Sequence, residues 1–391
     1  MSISKNDFRI PQAIILCLDD VGWHNGEDLR PEGMASRSGL PRYHHPLDYK
    51  MLAELGKAID MKIVCPLCLG DWDKDNILRG EVGMTHKPHT WDRASEIDLE
   101  YTKACFDELE SAEYIEYAIH GILHGRYGED GSLIWELEHF EPIMVDGKMI
   151  PSLDTEDFKH RIDVFFKLYD MWGFSQKPKI YVAPCGVPRN SDEEKIISGV
   201  TAELEKRGVK YWMNGGFTFE GPLRKARDIA IMRKMGADVP WNAYDFDPKR
   251  KVPYGADGKP IASNALGWHW TNFIRFNPEN NLDRLSDWVD FFKRQADVFG
   301  AMLAKDTAFS ANQQFYHLFA DVALEDNKCI IDLKKTQEMK NVKGNDTFYI
   351  SFKNGLVPVS CEGGTIELYE KHTDFVNYKV THHTDKVIIS F

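Results

Sequence analysis

Strand-like and helix-like patterns alternate through the first three quarters of the 391-residue sequence. Short apolar runs such as 13–18, 62–67 and 179–183 are each followed by a stretch with apolar residues at three- or four-residue spacing. The runs indicate buried strands and the spacing indicates amphipathic helices. One helix between successive strands implies a parallel sheet, either closed into a barrel or open and doubly wound.

Polar clusters at the ends of the predicted strands favour the barrel. They are Asp19-Asp20, His120 with His124, Pro184-Cys185-Gly186 and His269. A barrel collects such residues from many strands on one face, whereas an open sheet gathers them mainly at one switch point. We therefore expect an α/β barrel of eight strands or fewer.

The pattern changes past about Asp306. Short alternating runs at 347–352, 365–369 and 386–391 are separated by Asn-Gly, Gly-Gly and His-Thr-Asp turns. This spacing is typical of hairpins. We predict a catalytic barrel over residues 1–306 and a small antiparallel β module over 307–391.

The net charge restricts the class of binding partner, and the length of the apolar runs restricts the cellular location. The formal net charge is −13, and lysines and arginines form no evident stripe, so nucleic acid and anionic membranes are poor partners and neutral sugars fit better. No apolar run has the length of a membrane span or a secretory signal, which predicts a cytoplasmic protein. The sequence does not indicate an oligomeric state.

Cys65-Pro-Leu-Cys68 has a spacing that suits metal or redox chemistry. The sequence has seven cysteines, most of them inside apolar runs, and no second pair with this spacing. We interpret Cys65 and Cys68 as packed, reduced thiols of a strand.

Asp19, Asp20, His120 and His124 supply the parts of one divalent-metal site. Two histidines and one carboxylate form a facial ligand set that leaves positions open for water and substrate. The second aspartate is then free to act as a base. Two difficulties accompany this interpretation: consecutive strand residues point in opposite directions, and His120 and His124 share a face only on a helical turn.

Other uses of these residues are weighed against the metal site. The two aspartates can cap the turn that follows them, and the histidines can be ordinary surface or core residues. A zincin motif is excluded because Gly121 follows His120 where that motif requires glutamate.

His269 lies between two tryptophans at the end of the last barrel-like segment. A histidine suits proton donation to a leaving group, although a packed imidazole is the alternative. Flat aromatic rings near the polar clusters suit sugar rings, which makes Trp241, Trp268 and Trp270 candidate substrate contacts.

In order and approximate spacing, four motifs of residues 10–275 resemble those of the polysaccharide deacetylases (carbohydrate esterase family 4) and of their relatives in the glycoside hydrolase/deacetylase superfamily. The matching segments are Cys17-Leu-Asp-Asp-Val21, His120-Gly-Ile-Leu-His124, Ala183-Pro-Cys-Gly186 and Gly267-Trp-His269. The resemblance implies a distorted (β/α)7 barrel in which Asp20, His120 and His124 hold the metal, Asp19 is the base and His269 the acid.

Two positions depart from the family pattern. Gly121 replaces the hydroxyl residue that braces the metal site, and no arginine precedes Pro184 to orient the base, which leaves Arg189 as the candidate substitute.

The expected activity is therefore metal-dependent removal of an acyl group, such as N- or O-acetyl, from a carbohydrate or a related small substrate. Water activated by the metal is the expected nucleophile, with Asp19 as base, His269 as acid and a backbone N–H near Cys185 beside the oxyanion. Zn²⁺ is the favoured ion, with Co²⁺, Ni²⁺ and Mn²⁺ as the other candidates. The alternatives are a glycosidase on a related barrel, and a non-catalytic carbohydrate-binding protein on a degenerate deacetylase fold.

Overall fold

The computed structural model describes residues 3–135, 143–145, 147–150, 154–184, 193–214, 223–259, 261, 263–298, 301–339, 341–342 and 344–391. Seven parallel strands form its central sheet: β1 Ala13–Asp19, β2 Ile63–Cys68, β3 Ile115–Gly121, β4 Ile180–Val182, β5 Tyr211–Asn214, β6 Ile229–Gly236 and β7 Ala265–His269.

These strands close into a barrel. Their order is β5-β4-β3-β2-β1-β7-β6, and β5 also pairs with β6 in parallel, with Tyr211 opposite Ala230. The predicted α/β barrel is therefore confirmed, with seven strands. Two short strands extend the barrel sheet: Leu223–Ala226 runs antiparallel to β6, and Met302–Leu303 pairs with β1. Two more form a hairpin of their own, in which Arg126–Tyr127 pairs with Leu133–Trp135. A further hairpin joins Ile143–Val145 to Lys148–Ile150.

Burial explains why the barrel strands are continuous apolar runs rather than alternating ones. Every residue of β2, and residues 13–18 of β1, are buried. One side of each strand faces the barrel interior and the other faces the surrounding helices, so both sides need apolar side chains. Cys65 and Cys68 both lie buried within β2 and belong to the main hydrophobic core.

Helices surround the barrel. They are α1 Pro46–Ala58, α2 Arg93–Glu96, α3 Leu99–Glu110, α4 Thr155–Trp172, α5 Glu193–Lys206, α6 Leu285–Asp297 and α7 Thr307–Phe319. Local signals set their ends: Asp154 and Asp157 form a capping box at the start of α4, and Gly173, with φ +70°, ends it in the left-handed conformation. No helix among these described segments is long and apolar enough to cross a membrane.

The C-terminal module consists of two antiparallel sheets. Its strands are β8 Asp321–Glu325, β9 Lys328–Asp332, β10 Thr347–Lys353, β11 Ser360–Glu362, β12 Gly364–Lys371, β13 Phe375–His382 and β14 Lys386–Ser390. The N-terminal strand Phe8–Arg9 joins the first sheet beside β10, and β8, β9, β14 and β11 form the second. The predicted antiparallel β module is confirmed.

Helix α7 connects the module to the end of the barrel where the strands begin. The Ser310 hydroxyl donates to the carbonyl of Ala13 at 2.7 Å, and the Gln313 amide donates to the carbonyl of Pro11 at 2.8 Å. Phe315 is fully buried in the barrel core. The division at residue 306 stays a prediction, and α7 is the element that contacts both parts.

Candidate metal centre

The backbone turn at Asp20 brings two adjacent carboxylates into one region. Asp19 is the last residue of β1, and Asp20 follows in the left-handed conformation with φ +67°. Aspartate adopts this conformation more readily than most residues. The alternation of a regular strand is thereby broken, and both carboxylates interact electrostatically with His120 and His269. This resolves the first difficulty raised by the sequence.

The two histidines come from β3 and from the loop after it, not from a helical turn. β3 contains His120 and ends at Gly121, and His124 has φ +63°. The expectation that the pair shares a helical face is therefore wrong. The left-handed conformation at His124 instead turns its ring back toward β3. The ring centroids of His120 and His124 are 5.2 Å apart.

Asp20, His120 and His124 present one ligand atom each to a common point. The Nε2 atom of His120 lies 3.3 Å from Oδ1 of Asp20, and the Nε2 atom of His124 lies 3.5 Å from the same oxygen. All three atoms fall within 4.8 Å of one another, and the side chains are buried. Ligands about 2.0–2.2 Å from a tetrahedral ion are about 3.3–3.6 Å apart, so the spacing suits Zn²⁺ or a similar ion.

The hydrogen bonding at the site also fits a bound cation. Within the described residues, Oδ1 of Asp20 and Nε2 of His120 are buried without a hydrogen-bond partner. Such atoms are costly to bury unless something satisfies them. The other ring nitrogen of His120, Nδ1, lies 2.8 Å from the carbonyl of Val182, to which it can donate. That bond leaves the Nε2 lone pair for a cation. The donor set therefore fits a divalent ion.

The protonation states of Asp20 and His124 also suit ligation. Burial lowers the pKa of His120, but Asp20 and Asp19 oppose this effect and the net shift is upward, so a metal would have to displace a proton from that ring. Burial alone would raise the pKa of Asp20. The neighbouring His124 and His120 oppose this effect and the net shift is downward, so this carboxyl is ionised. Burial lowers the pKa of His124 to about 4, with only partial compensation from Asp20, so its ring is neutral at pH 7. A carboxylate and a neutral imidazole are the forms that bind a metal.

Lys234 of β6 is a site residue that the sequence analysis missed. Its ammonium group donates to Oδ2 of Asp19, and both side chains are nearly buried. Burial raises the pKa of Asp19, but the charges of Lys234, His120 and His269 together outweigh this effect, and the net shift is downward. The Asp19 carboxylate is thus held by a cation from a different strand. Arg189, the predicted substitute, lies outside the described residues.

Gly267 makes room for this lysine. A Cβ atom at position 267 would lie 2.9 Å from Cγ and Cδ of Lys234. Lys234, together with Arg233, follows the apolar run 229–232 of β6, and a lysine in a buried strand requires a partner. That signal was available in the sequence, although it does not identify Asp19 as the partner.

His269 reaches the site from β7. It lies opposite Asp19 in the register of β7 with β1, and its Nε2 atom is 3.9 Å from Oδ2 of Asp20. Its side chain is 32% exposed, whereas those of the three candidate ligands are 10% or less. His269 is therefore the group of this cluster most open to an incoming molecule.

The predicted substrate contacts, which are three tryptophans and Cys185 beside the oxyanion, have different outcomes. Trp268 and Trp270 are fully buried, and Trp268 packs edge-on against Trp288 with centroids 5.1 Å apart. Because these two rings are buried, they cannot stack on a sugar. The prediction that Trp268 and Trp270 contact the substrate is therefore corrected, and both belong to the core. Trp241 is partly exposed, with the Arg30 guanidinium 5.2 Å above its ring, and Cys185 lies outside the described residues.

Comparisons with known proteins give no family assignment. No family model and no curated protein matches the chain. Among solved structures, the chain is similar to a GH27 β-L-arabinopyranosidase from Geobacillus stearothermophilus, with 10% identity, a TM-score of 0.33 and 97% of each chain covered. It is also similar to a putative α-N-acetylgalactosaminidase from Bacillus halodurans, with 9% identity, a TM-score of 0.30 and 97% of each chain covered. Likeness at this level does not decide an activity.

Proposed function

We propose that the protein is a metal-dependent hydrolase that removes an acyl group, such as N- or O-acetyl, from a carbohydrate or a related small substrate. The observation that carries the proposal is the convergence of Oδ1 of Asp20 with Nε2 of His120 and of His124, buried and within 4.8 Å of one another. Zn²⁺ is the favoured ion, with Co²⁺, Ni²⁺ or Mn²⁺ as substitutes.

Asp19 is the proposed general base. A divalent ion held by the three ligands would polarise the acyl carbonyl and make water more acidic. Asp19 takes the proton from the attacking water, and Lys234 fixes the carboxylate through its ammonium group. The pair explains how Asp19 stays ionised in a buried position.

His269 is the proposed general acid. A departing amine or alkoxide needs a proton, and an imidazole is suited to supply it near neutral pH. The partial exposure of His269, beside the buried ligands, places it where a substrate can reach. The loop of Trp241 is tied to the same turn, because the Asn272 side chain accepts from the backbone N–H of His269 and donates to the carbonyl of Pro240. Trp241 therefore remains the aromatic candidate for contact with a sugar ring.

A glycosidase is the second candidate, since the similar solved structures named above are described as glycosidases. A glycosidase needs two carboxyl groups on either side of the scissile bond, one of them protonated. Lys234 lowers the pKa of Asp19, and the histidines lower that of Asp20, so neither carboxyl retains a proton at neutral pH. This electrostatic pattern favours the hydrolase that uses a metal. A carbohydrate-binding protein without turnover is the third candidate.

Two matched substitutions test the division of labour between the neighbouring aspartates. Asp19→Asn should retain the metal and lose turnover of an acetylated sugar, whereas Asp20→Asn should lose the metal as well. Asp60→Asn is the control, because this exposed aspartate lies at the end of α1 away from the site. Metal content and acetate release would be measured on the same preparations. Turnover that survives chelation and both substitutions would contradict the proposal, and release of sugar without acetate would favour the glycosidase.

A further inference from the structure

A cavity of about 200 Å³ lies among the loops that follow β1 and β2. His24, which lines it, follows the metal candidate Asp20 by four residues. The backbone N–H of His24 donates to the carboxylate of Asp71 at 3.2 Å, and Asp71 lies in the turn Gly70–Trp72 that follows β2. The backbone N–H of Gly70 donates to the carbonyl of Ile122 at 2.8 Å, in the loop that carries His124. The cavity therefore belongs to the same barrel face as the three candidate ligands.

Two guanidinium groups line the inner part of this cavity around a single carboxylate. Arg37 makes a two-point ion pair with Asp71, and both side chains are less than 10% exposed. Arg93 donates from Nε to the backbone carbonyl of Asp71 at 2.9 Å, and its Nη2 lies 2.6 Å from Nδ1 of His24. The Arg37 guanidinium also lies 4.7 Å above the ring of Trp23, which holds its plane. These groups are fixed before any ligand arrives.

The mouth of the cavity carries two carboxylates. Glu96 is shared by two cations, at 3.4 Å from Arg93 and 3.9 Å from Lys87. Asp92 is paired at 3.1 Å with Arg79, which lies outside the lining. The lining as a whole holds three cations, Arg37, Arg93 and Lys87, and three carboxylates, Asp71, Asp92 and Glu96, so it has no net charge.

The two histidines of the lining add no positive charge. Burial lowers the pKa of His24 to about 4, and Arg93 lowers it further. Burial likewise lowers the pKa of His86 to about 4, together with Lys87. Both rings are neutral at pH 7, and neutral imidazoles can donate to or accept from a polar ligand.

Arg37 also has hydrogen-bonding capacity to spare. It donates from Nη1 to the carbonyl of Asn25 and to Asp71, and from Nη2 to Asp71. These bonds use three of its five N–H groups, so two have no acceptor among the residues that the structure describes. Unused guanidinium donors in the lining of a cavity are suited to an anion with several oxygen atoms.

We propose that this cavity is a subsite for a carboxylate carried by the substrate. Its role in catalysis rests on the proposed function, but the binding of an anion does not. Phosphate shares the required chemistry and is the other possible source of the anion. The substrate class would then be an acylated compound with one acidic substituent, such as an acetylated sugar acid. The net charge of −13 disfavours polyanions, whereas the unused guanidinium donors of the cavity suit a single anionic group.

Calorimetry on chelator-treated full-length protein tests the subsite without interference from a metal. The probes are D-glucuronate, glucose 6-phosphate and neutral D-glucose. We expect glucuronate to bind at least about tenfold more tightly than glucose, which is the scale of one charge-assisted hydrogen bond. Tighter binding of glucose 6-phosphate than of glucuronate would identify phosphate as the anion. Equal binding of all three probes, or no binding of either anion, would overturn the proposal.

Substitutions locate the binding. Arg93→Gln should weaken glucuronate at least about tenfold, and Lys87→Gln, in a half-exposed side chain at the mouth, should weaken it less. Arg250→Gln is the matched control, because this arginine is 83% exposed and lies outside the cavity. Unchanged affinity in both cavity variants would refute the assignment even if glucuronate binds. If the protein binds the anion but no metal, the subsite is supported and only the proposed hydrolase activity is rejected.

Discussion

The ion pair between Lys234 and Asp19 gives a stability prediction that depends on the barrel geometry. Lys234 is 7% exposed and Asp19 is 14% exposed in their side chains, so neither charge has bulk water as an alternative partner. Removing one member of a buried pair leaves the other charge uncompensated, which costs about 3–5 kcal/mol. Lys234→Met keeps most of the apolar stem and removes the charge. We expect it to destabilise the protein by about 3–5 kcal/mol at pH 7.

The double variant separates lost charge from lost packing. In Asp19→Asn with Lys234→Met no uncompensated charge remains, so its loss should be less than about 2 kcal/mol, below that of either single variant. Urea unfolding of chelator-treated protein, followed by tryptophan fluorescence, measures all four proteins without a contribution from the metal. Single variants that lose less than about 1 kcal/mol, as for a surface pair, would refute the reasoning. Strictly additive losses would refute it too.

Three other predictions concern the acid, the module and pH. His269→Ala should lower turnover by roughly 10²–10⁴-fold on substrates with poor leaving groups and much less on an activated aryl ester. The metal content should not change. An equal loss of turnover on both substrates would assign His269 a structural role instead. A chain that ends at residue 306 should fail to accumulate as folded protein, because it lacks α7, whose Phe315 is fully buried in the barrel core; recovery of a soluble, cooperatively melting protein would show that α7 is dispensable. His372 lies 3.1 Å from both Glu370 and Asp297, and these partners raise its pKa against the opposing effect of burial. The pKa of His372 is therefore higher in the folded protein than in the unfolded chain. Its ion pairs with Glu370 and Asp297 stabilise the protein below the unfolded pKa of about 6.5, and this stabilisation is lost as pH rises through the folded pKa. The stability difference between wild type and His372→Asn should therefore be larger at about pH 5.5 than at about pH 9, and the reverse order in thermal melts would contradict the ion pairs.

The barrel was predictable from the sequence because its signals are local. Fully buried runs such as 13–18 need only their own residues to indicate a parallel strand, and Asp154 and Gly173 mark the ends of α4 by their own backbone requirements. The positions of Asp19, Asp20, His120 and His124 at strand ends follow from the same pattern.

The rest depends on contacts between distant residues. Lys234 meets Asp19 across 215 positions of sequence, through a register that links β6 to β1 by way of β7. Spacing alone suggested a helical turn for His120 and His124, whereas the left-handed backbone at His124 is set by the surrounding loop. The tryptophan rings give a similar lesson, because the sequence places Trp268 near the site but only the packing of α6 shows that its ring is buried. The N-terminal strand Phe8–Arg9 joins the distant module, which no local pattern indicates.

The metal content of the purified protein tests the central claim most directly. Protein prepared without chelator and loaded with Zn²⁺ should retain about one equivalent after dialysis, and His124→Ala should retain far less, since one of three protein ligands is removed. His160→Ala, which alters an exposed histidine on α4, is the matched control and should retain as much metal as the wild type. Equal metal content in the wild type and in His124→Ala would contradict the site of Asp20, His120 and His124.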